Sequence, residues 1–280
     1  MRGEARSGAP APVRRIHLGS QGWNYDAWVG PFYPAGTRPA HFLAMYARAF
    51  DTVEVDSTFY AIPGAKVVQG WRERTPDDFT FALKLPQEIT HERRLRDAGD
   101  LLLEFLDVAR ELGPKLGPIL IQLGPDYGPA ELPGLAAFLP LLPPDMKFAV
   151  EFRQRGWIND GVLALLKEYR VALALSDGRW IPRNVLQRLA EDPTSDFAYL
   201  RWMGPDRSIV DYSRIQVDRT KEVATWARTL RGLMTRVQTA YGYVNNHFAG
   251  HSPATIRMFQ EELGQPVVRL EQMGEQLGLF

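Results

Sequence analysis

The sequence predicts a single-domain (β/α)8 barrel of the TIM type, and three observations carry that reading. Eight short apolar runs recur along the chain, segments with helical spacing lie between them, and nearly every run turns polar at its C-terminal end. Several runs are apolar almost throughout, as parallel strands covered on both faces should be. Eight alternations of strand and helix match the barrel count. The alternative is an open doubly wound sheet. It fits less well because "GSQG" is followed by Trp23 rather than a helix start, so no Gly-rich dinucleotide turn is formed.

The elements follow in order. "RIHLGS" is the first strand. Pro39, a good first-turn residue, precedes a helical stripe of Phe42, Tyr46, Ala49 and Phe50. "TVEVDS" and "FTFALKL" are the second and third strands. Leu102, Phe105, Leu106, Ala109 and Leu112 form the next stripe, closed by Gly113. "PILIQLG" and "KFAVEFR" are the fourth and fifth strands. Asn159 is an N-cap for the stripe Val162, Leu165, Leu166 and Tyr169. "VALALSD" and "FAYLRWM" follow, then Val223, Trp226, Ala227 and Leu230 on a helix, and "AYGYVNN" as the eighth strand. The tail after Gly264 is expected to pack across the barrel or to extend the last helix. Residues 1–13 are small, polar and Pro-containing, and are expected to be a disordered leader. Residues 14–280 make the barrel domain.

Composition bounds the function. The chain has 280 residues, 45% of them hydrophobic, and Lys+Arg and Asp+Glu balance at 33 each. Non-specific nucleic-acid binding rests on excess positive charge, so this balance argues against it as the main task. The absence of cysteine excludes disulfides, thiol nucleophiles and Cys-type zinc sites. No apolar h-region follows the N-terminus, and the Arg14-Arg15 pair is followed too soon by "GSQG" to be a twin-arginine signal. No apolar run approaches the roughly 20 residues that span a bilayer. A cytoplasmic chain with no membrane partner is expected.

In a parallel barrel the site lies at the C-terminal ends of the strands. Those ends carry Gln21, Trp23 and Tyr25; Glu54 and Asp56; Lys84; Gln122; Glu151 and Arg153; Ser176 and Asp177; Arg201 and Met203; and Asn245, Asn246 and His247. Strand alternation puts Glu54 with Asp56, and Glu151 with Arg153, on one face, while Val53, Val55, Val150 and Phe152 face the helices. The charged faces are therefore expected to point into the barrel mouth. Each of these residues also has a structural reading, as one half of a buried ion pair bracing neighbouring strands. Trp23, Trp157 and Trp202 read as packing residues rather than substrate platforms.

The stretches "GSQGWNYDAWVGPFYP", "VEVDSTFYAIP", "FALKLPQEITH", "EFRQRGW", "YLRWMG" and "VNNHFAGHSPATI" resemble the successive signatures of the DUF72 (YecE-like) family, from about Ile16 to the mid-260s. The resemblance implies a TIM-type barrel and supplies no function. The positions that match are Trp23, Tyr25, Trp28, Glu54, Thr58, Phe59, Tyr60, Lys84, His91, Glu151, Arg153, Trp157, Arg201, Asn245 and Asn246. Asp56 stands where the family more often has Asn, and Met203 where many members have His.

The chemistry follows from residue types. Glu54 and Glu151 are candidate general acids or bases. Lys84 is a candidate anion holder, or a Schiff-base former if it is desolvated and lacks a close carboxylate. His91, in the loop above strand three, is a candidate proton shuttle or a structural hydrogen-bonder. Arg153 and Arg201 offer planar forks for carboxylate or phosphate. Trp23, Tyr25, Asp56, Tyr60, Asn245 and Asn246 complete the expected substrate-binding set. No spacing concentrates His, Asp and Glu into a metal motif, so no metal ligand is assigned, and the cofactor is unknown. In "HERRLRD" the arginines either guide a polyanion or form a solvated surface. The expected function is acid–base chemistry (hydrolase, isomerase or lyase) on a small anionic or phosphorylated molecule. The alternatives are a metal-dependent phosphodiester hydrolase acting on nucleic acid and a non-catalytic ligand-binding module.

Overall fold

The computed structural model describes residues 14–274; the expected leader, residues 1–13, lies outside them. Eight parallel strands form one sheet: β1 (Arg15–Ser20), β2 (Thr52–Val55), β3 (Thr80–Lys84), β4 (Leu116–Gln122), β5 (Phe148–Glu151), β6 (Ala172–Asp177), β7 (Phe197–Trp202) and β8 (Thr239–Val244). They run in the order β1-β8-β7-β6-β5-β4-β3-β2. The helices α1 (Phe42–Ala49), α2 (Ala65–Glu73), α3 (Gly99–Arg110), α4 (Leu132–Phe138), α5 (Asp160–Glu168), α6 (Arg183–Leu189) and α7 (Thr220–Leu233) lie between them. After β8 come the short α8 (Asn246–Ala249), then α9 (Ser252–Leu263) and α10 (Leu270–Gly274). This is the TIM-type barrel that the sequence predicts.

Local chemistry sets the boundaries. Asn159 caps α5, its side-chain oxygen accepting from Val162 N at 3.1 Å. Pro39 falls in a 3-10 turn, Pro39–His41, that leads into α1. Helix α9 ends at Gly264 in the left-handed conformation (φ 70°), so the tail does not extend it. It packs back instead: Gln265 Nε2 donates to Ile16 O at 2.9 Å, and Arg48 on α1 donates to Met273 O at 3.3 Å. Among the described residues no helix is long and apolar enough to cross a membrane.

Period-2 alternation separates two cores. Ala82, Leu120, Ala149, Ala172, Ala174, Phe197, Tyr199, Tyr241 and Tyr243 fill the inside of the barrel. The alternate positions, such as Val53, Phe81, Ile119, Val150 and Leu200, belong to the larger core under the helices. Above the inner cluster each strand adds one inward polar residue at its C-terminal end: Gln21, Glu54, Lys84, Gln122, Glu151, Ser176, Arg201 and Asn245. These are the residues that alternation aims into the mouth.

The β1–β2 seam closes differently from the rest. A single bridge, Gln21 to Glu54, joins the two strand ends, with Gly22 N donating to Glu54 O at 2.8 Å. Below it the Tyr46 hydroxyl is spliced between the strands. It accepts from Ser20 N at 2.8 Å and lies 3.1 Å from the Thr52 carbonyl, to which it donates. Gly19 is required there, because a Cβ at that position would sit 2.0 Å from Thr52 O.

Candidate functional site

Arg201 is the centre of the mouth. Its Nε and Nη2 grip Glu54 bidentately, at 2.9 Å and 2.7 Å. Its Nη1 donates to Glu151 Oε2 at 2.5 Å and reaches Gln122 Oε1 at 3.3 Å. Tyr199 OH donates to Glu54 Oε2 at 2.6 Å. Ser176 Oγ donates to Glu151 Oε2 at 2.6 Å, and Arg153 Nε to Glu151 Oε1 at 3.1 Å. The network is dry: Arg201 is 1% exposed and Glu54 0%. Both residues are arranged as the buried ion-pair reading expects. Arg201 offers no free fork to a substrate, because all three of its nitrogens are engaged. Glu54 is sealed behind Arg201 and Tyr199, so it holds the arginine in place.

Ionisation follows from this pairing. Burial alone would raise the Glu151 carboxyl, but Arg201 and Arg153, with the Ser176 and Arg201 hydrogen bonds, overcome it and hold the group at about 2. Glu151 is therefore a carboxylate at neutral pH, and its pKa is too low for it to take up a proton there. For Glu54 burial dominates, Arg201 offsets only part of it, Asp56 adds repulsion, and the pKa is raised. Tyr199, buried against Glu54, stays a phenol with its pKa raised well above the ordinary value.

Lys84 differs from every other charged group in this layer. It is 7% exposed, and its ammonium sits 3.7 Å from the centroid of the Phe59 ring. Among the described residues no carboxylate lies within 4.0 Å of it. Burial, reinforced by the Arg201 charge, pushes its pKa down to about 8. The Thr58 hydroxyl fixes the backbone here, accepting from Lys84 N at 3.0 Å and donating to Lys84 O at 2.8 Å. His91 lies on a π-helical turn, Glu88–Glu92, with its ring 5.1 Å from Phe59 and Nδ1 2.9 Å from Thr90 Oγ1. Burial, then Lys84 and Arg153, lower its pKa, so His91 is neutral near pH 7.

The remaining expected residues spread around the rim. Asp56 opens a 3-10 turn after β2, 4.0 Å from Arg201 Nη2, with its Oδ1 buried and unpartnered. Tyr25 donates to Gln21 O at 2.7 Å, and burial raises its pKa, with Asp56 adding to the shift. Trp23 packs edge-on against Trp71, and Tyr60 is 72% exposed on the outer rim. Asn245 caps α8 through His247 N and touches the Gln21 amide at 2.7 Å. Asn246 Oδ1 accepts from Ser252 N at 3.0 Å, which ties α8 to the start of α9. Asp177 points outward, to Trp226 Nε1 at 2.7 Å and Arg183 Nε at 2.8 Å. No group of three or more His, Asp or Glu among the described residues is placed to hold a metal ion. The arginines of "HERRLRD" are paired: Arg93 with Glu88, Arg94 with Asp126 and Glu131, and Arg96 with Glu131.

A cavity of about 310 Å³ opens beside this floor, over the ends of β5 to β8. Glu151, Arg153 and Ser176 line its base, and Arg179, Trp180, Met203, Asp206, Arg207, Asn245 and His247 its walls. Arg153 and Arg179 both approach the Trp180 ring, at 5.8 Å and 4.2 Å from its centroid. Sequence reasoning missed Arg179, Trp180 and Arg207, which sit in loops after β6 and β7 where period-2 patterning carries no information. Tyr199 was within reach of it, as the residue two before Arg201 on the same face.

The model of the family described as protein of unknown function DUF72 matches residues 17–276. The UPF0759 protein YecE of Escherichia coli is 40% identical over 146 residues, which span 52% of this chain and 51% of YecE, so that match covers about half the length of that relative. The UPF0759 protein YunF of Bacillus subtilis is 26% identical over 84% of this chain and 90% of its own. Two solved structures share the fold. A DUF72 family protein from Thermotoga maritima (TM-score 0.74, 22% identity) covers 90% of this chain and is itself covered completely. One from Enterococcus faecalis (TM-score 0.72, 19% identity) covers 91% and is also covered completely. The chain belongs to the DUF72 family.

Proposed function

We propose that the protein is an enzyme that performs acid–base chemistry on a small anionic or phosphorylated molecule held at the C-terminal mouth of the barrel. The observation that carries this reading is the charge of the cavity. Of the charged groups that line it, Glu151 and Asp206 are carboxylates and Arg153, Arg179 and Arg207 are cations, and Glu151 is already paired with Arg153. Arg179 and Arg207 are then left on the walls with no carboxylate within 4.0 Å among the described residues, facing a space that suits a small molecule. Their guanidinium groups attract a carboxylate or phosphate. The groups poised to exchange protons near pH 7 are His91, which is neutral, and Lys84, whose pKa is about 8; both lie on the β3 side of the mouth, outside the residues that line the cavity. Glu151 serves as a fixed carboxylate. The phosphodiester hydrolase alternative needs carboxylates free for a divalent ion, whereas Glu54 and Glu151 are engaged by Arg201.

The test is a thermal-shift screen of phosphorylated and carboxylated small molecules against the native protein and an Arg179→Ala/Arg207→Ala variant. A ligand at about 100 times its Kd adds about 2.7 kcal/mol of stability. An anion is expected to raise Tm in the native protein and to do so much less in the variant. Equal shifts in both proteins, or shifts from neutral compounds only, would overturn the reading. A ligand that binds without turnover would mark a binding module instead.

A further inference from the structure

The chain has six lysines, and two of them, Lys84 and Lys115, are buried. Their surroundings are opposite. Lys115 is 4% exposed, and its Nζ donates to Arg72 O at 2.7 Å, Thr75 O at 2.6 Å and Thr75 Oγ1 at 3.3 Å. All three of its protons are placed, and it closes the C-terminal end of α2. Lys84 has no hydrogen-bond partner for its amine among the described residues. It rests on the face of Phe59; Glu54 and Glu151 are engaged by Arg201, and Asp56 acts on it only as a charge beyond 4.0 Å. A buried amine left unpaired beside an arginine is the arrangement that favours a neutral, nucleophilic lysine.

We infer that Lys84 captures a carbonyl group, forming an imine with an aldehyde or ketone of the anionic molecule held in the mouth. The inference rests on the reading above and narrows the substrate to a carbonyl-bearing anion. The step balances without a redox partner. The ammonium of Lys84 gives a proton to His91, which shares the Phe59 ring with it. The freed lone pair attacks the carbonyl carbon while the C–O π pair moves to oxygen. The nitrogen gives one of its two protons to the carbinolamine oxygen, His91 returns the proton it took, and water leaves as the C=N bond forms. Carbonyl and ammonium become protonated imine and water, and the cationic imine then draws electron density from the neighbouring carbon, as isomerisation or lyase chemistry requires.

The test uses the native full chain at pH 7 with glyoxylate, a small anionic aldehyde, and cyanoborohydride, which reduces an imine to a stable amine. Peptide mapping by mass spectrometry compares Lys84 with Lys66, Lys147, Lys167 and Lys221. With a pKa of about 8, the neutral fraction of Lys84 at pH 7 exceeds that of a lysine at the ordinary 10.5 by about 300-fold. Lower basicity and partial burial slow the attack, so labelling at least about tenfold faster than at the exposed lysines is expected. Labelling of Lys84 no faster than of Lys66 or Lys221 would overturn the inference. Acetaldehyde, which carries no charge, separates the two claims. Fast labelling of Lys84 by both aldehydes alike upholds the amine's role while removing support for anion binding. If neither aldehyde labels it, the inference fails and the thermal-shift screen still judges the anion reading.

Discussion

Replacing Lys84 with Met is expected to stabilise the protein. The folded chain holds this lysine at about 8 against an ordinary 10.5. That difference of about 2.5 pH units is worth about 3 kcal/mol, and it already includes the attraction of Asp56, Glu54 and Glu151. The sign follows from proton linkage. Below pH 8 the lysine is charged in both folded and unfolded chains, and the whole penalty is present. Between about 8 and 10.5 the unfolded chain binds more protons, so the native protein gains stability as pH rises. Above 10.5 the amine is neutral in both states and the penalty is gone. Methionine has a similar shape and no charge, so the variant should be more stable by about 2–3 kcal/mol at pH 7. For a chain of this size that corresponds to a rise in Tm of about 5–8 °C. The gap should narrow steadily toward pH 10.5. Guanidinium unfolding of both proteins at pH 7, 9 and 10.5 measures it. A variant no more stable than the native protein at pH 7, or a gap that does not change with pH, would refute the assignment of a desolvated, unpaired amine.

The other buried groups give outcomes of opposite sign. Lys115→Met should destabilise by about 1–3 kcal/mol, because the Arg72 and Thr75 carbonyls lose their donor; chemical denaturation reads the loss directly. Arg201→Met leaves Glu54 and Glu151 buried without their cation, and a loss of about 3–5 kcal/mol is expected at pH 7. Unfolding within 1 kcal/mol of the native protein would show that the network carries little stability. Tyr46→Phe removes the hydroxyl spliced into the β1–β2 seam. It should lower stability by about 1–3 kcal/mol and speed hydrogen exchange at the Ser20 amide, which native-state exchange followed by NMR would detect.

Periodicity makes the barrel and the polar rim legible in the sequence. Glu54, Lys84, Glu151 and Arg201 lie on strands, where a period of two fixes the facing of a side chain once the strand is recognised. What periodicity could not fix is how these groups pair. Glu54 and Asp56 share a face, yet one is sealed against Arg201 and the other lies half-open at the rim, because the chain leaves the strand between them and turns into a 3-10 segment. Lys84 and Lys115 look alike in sequence, each next to an apolar run. Only the end of α2, arriving from about 40 residues away, gives one of them a full set of acceptors. Arg179, Trp180 and Arg207 escaped the reading for the same reason: loop residues acquire meaning from what they face.

Asp56 is the remaining lever on Lys84. Its carboxylate is the strongest attraction holding the lysine's proton, ahead of Glu54 and Glu151. It takes no part in the Arg201 grip, approaching no closer than 4.0 Å, and its side chain is 39% exposed, so Asp56→Asn should fold normally. The variant keeps the shape of the mouth and removes one negative charge. The Lys84 pKa should then fall below its native value. Because Asp56 is partly solvated the change is modest, about half a unit, and the neutral fraction at pH 7 should rise about threefold. The readout is the rate of glyoxylate labelling at Lys84 across pH 6 to 10, whose midpoint should move to lower pH in the variant. A midpoint that moves to higher pH would mean that Asp56 serves Lys84 as a proton acceptor rather than as a distant charge, and would place the base of the mouth on β2 instead of at His91.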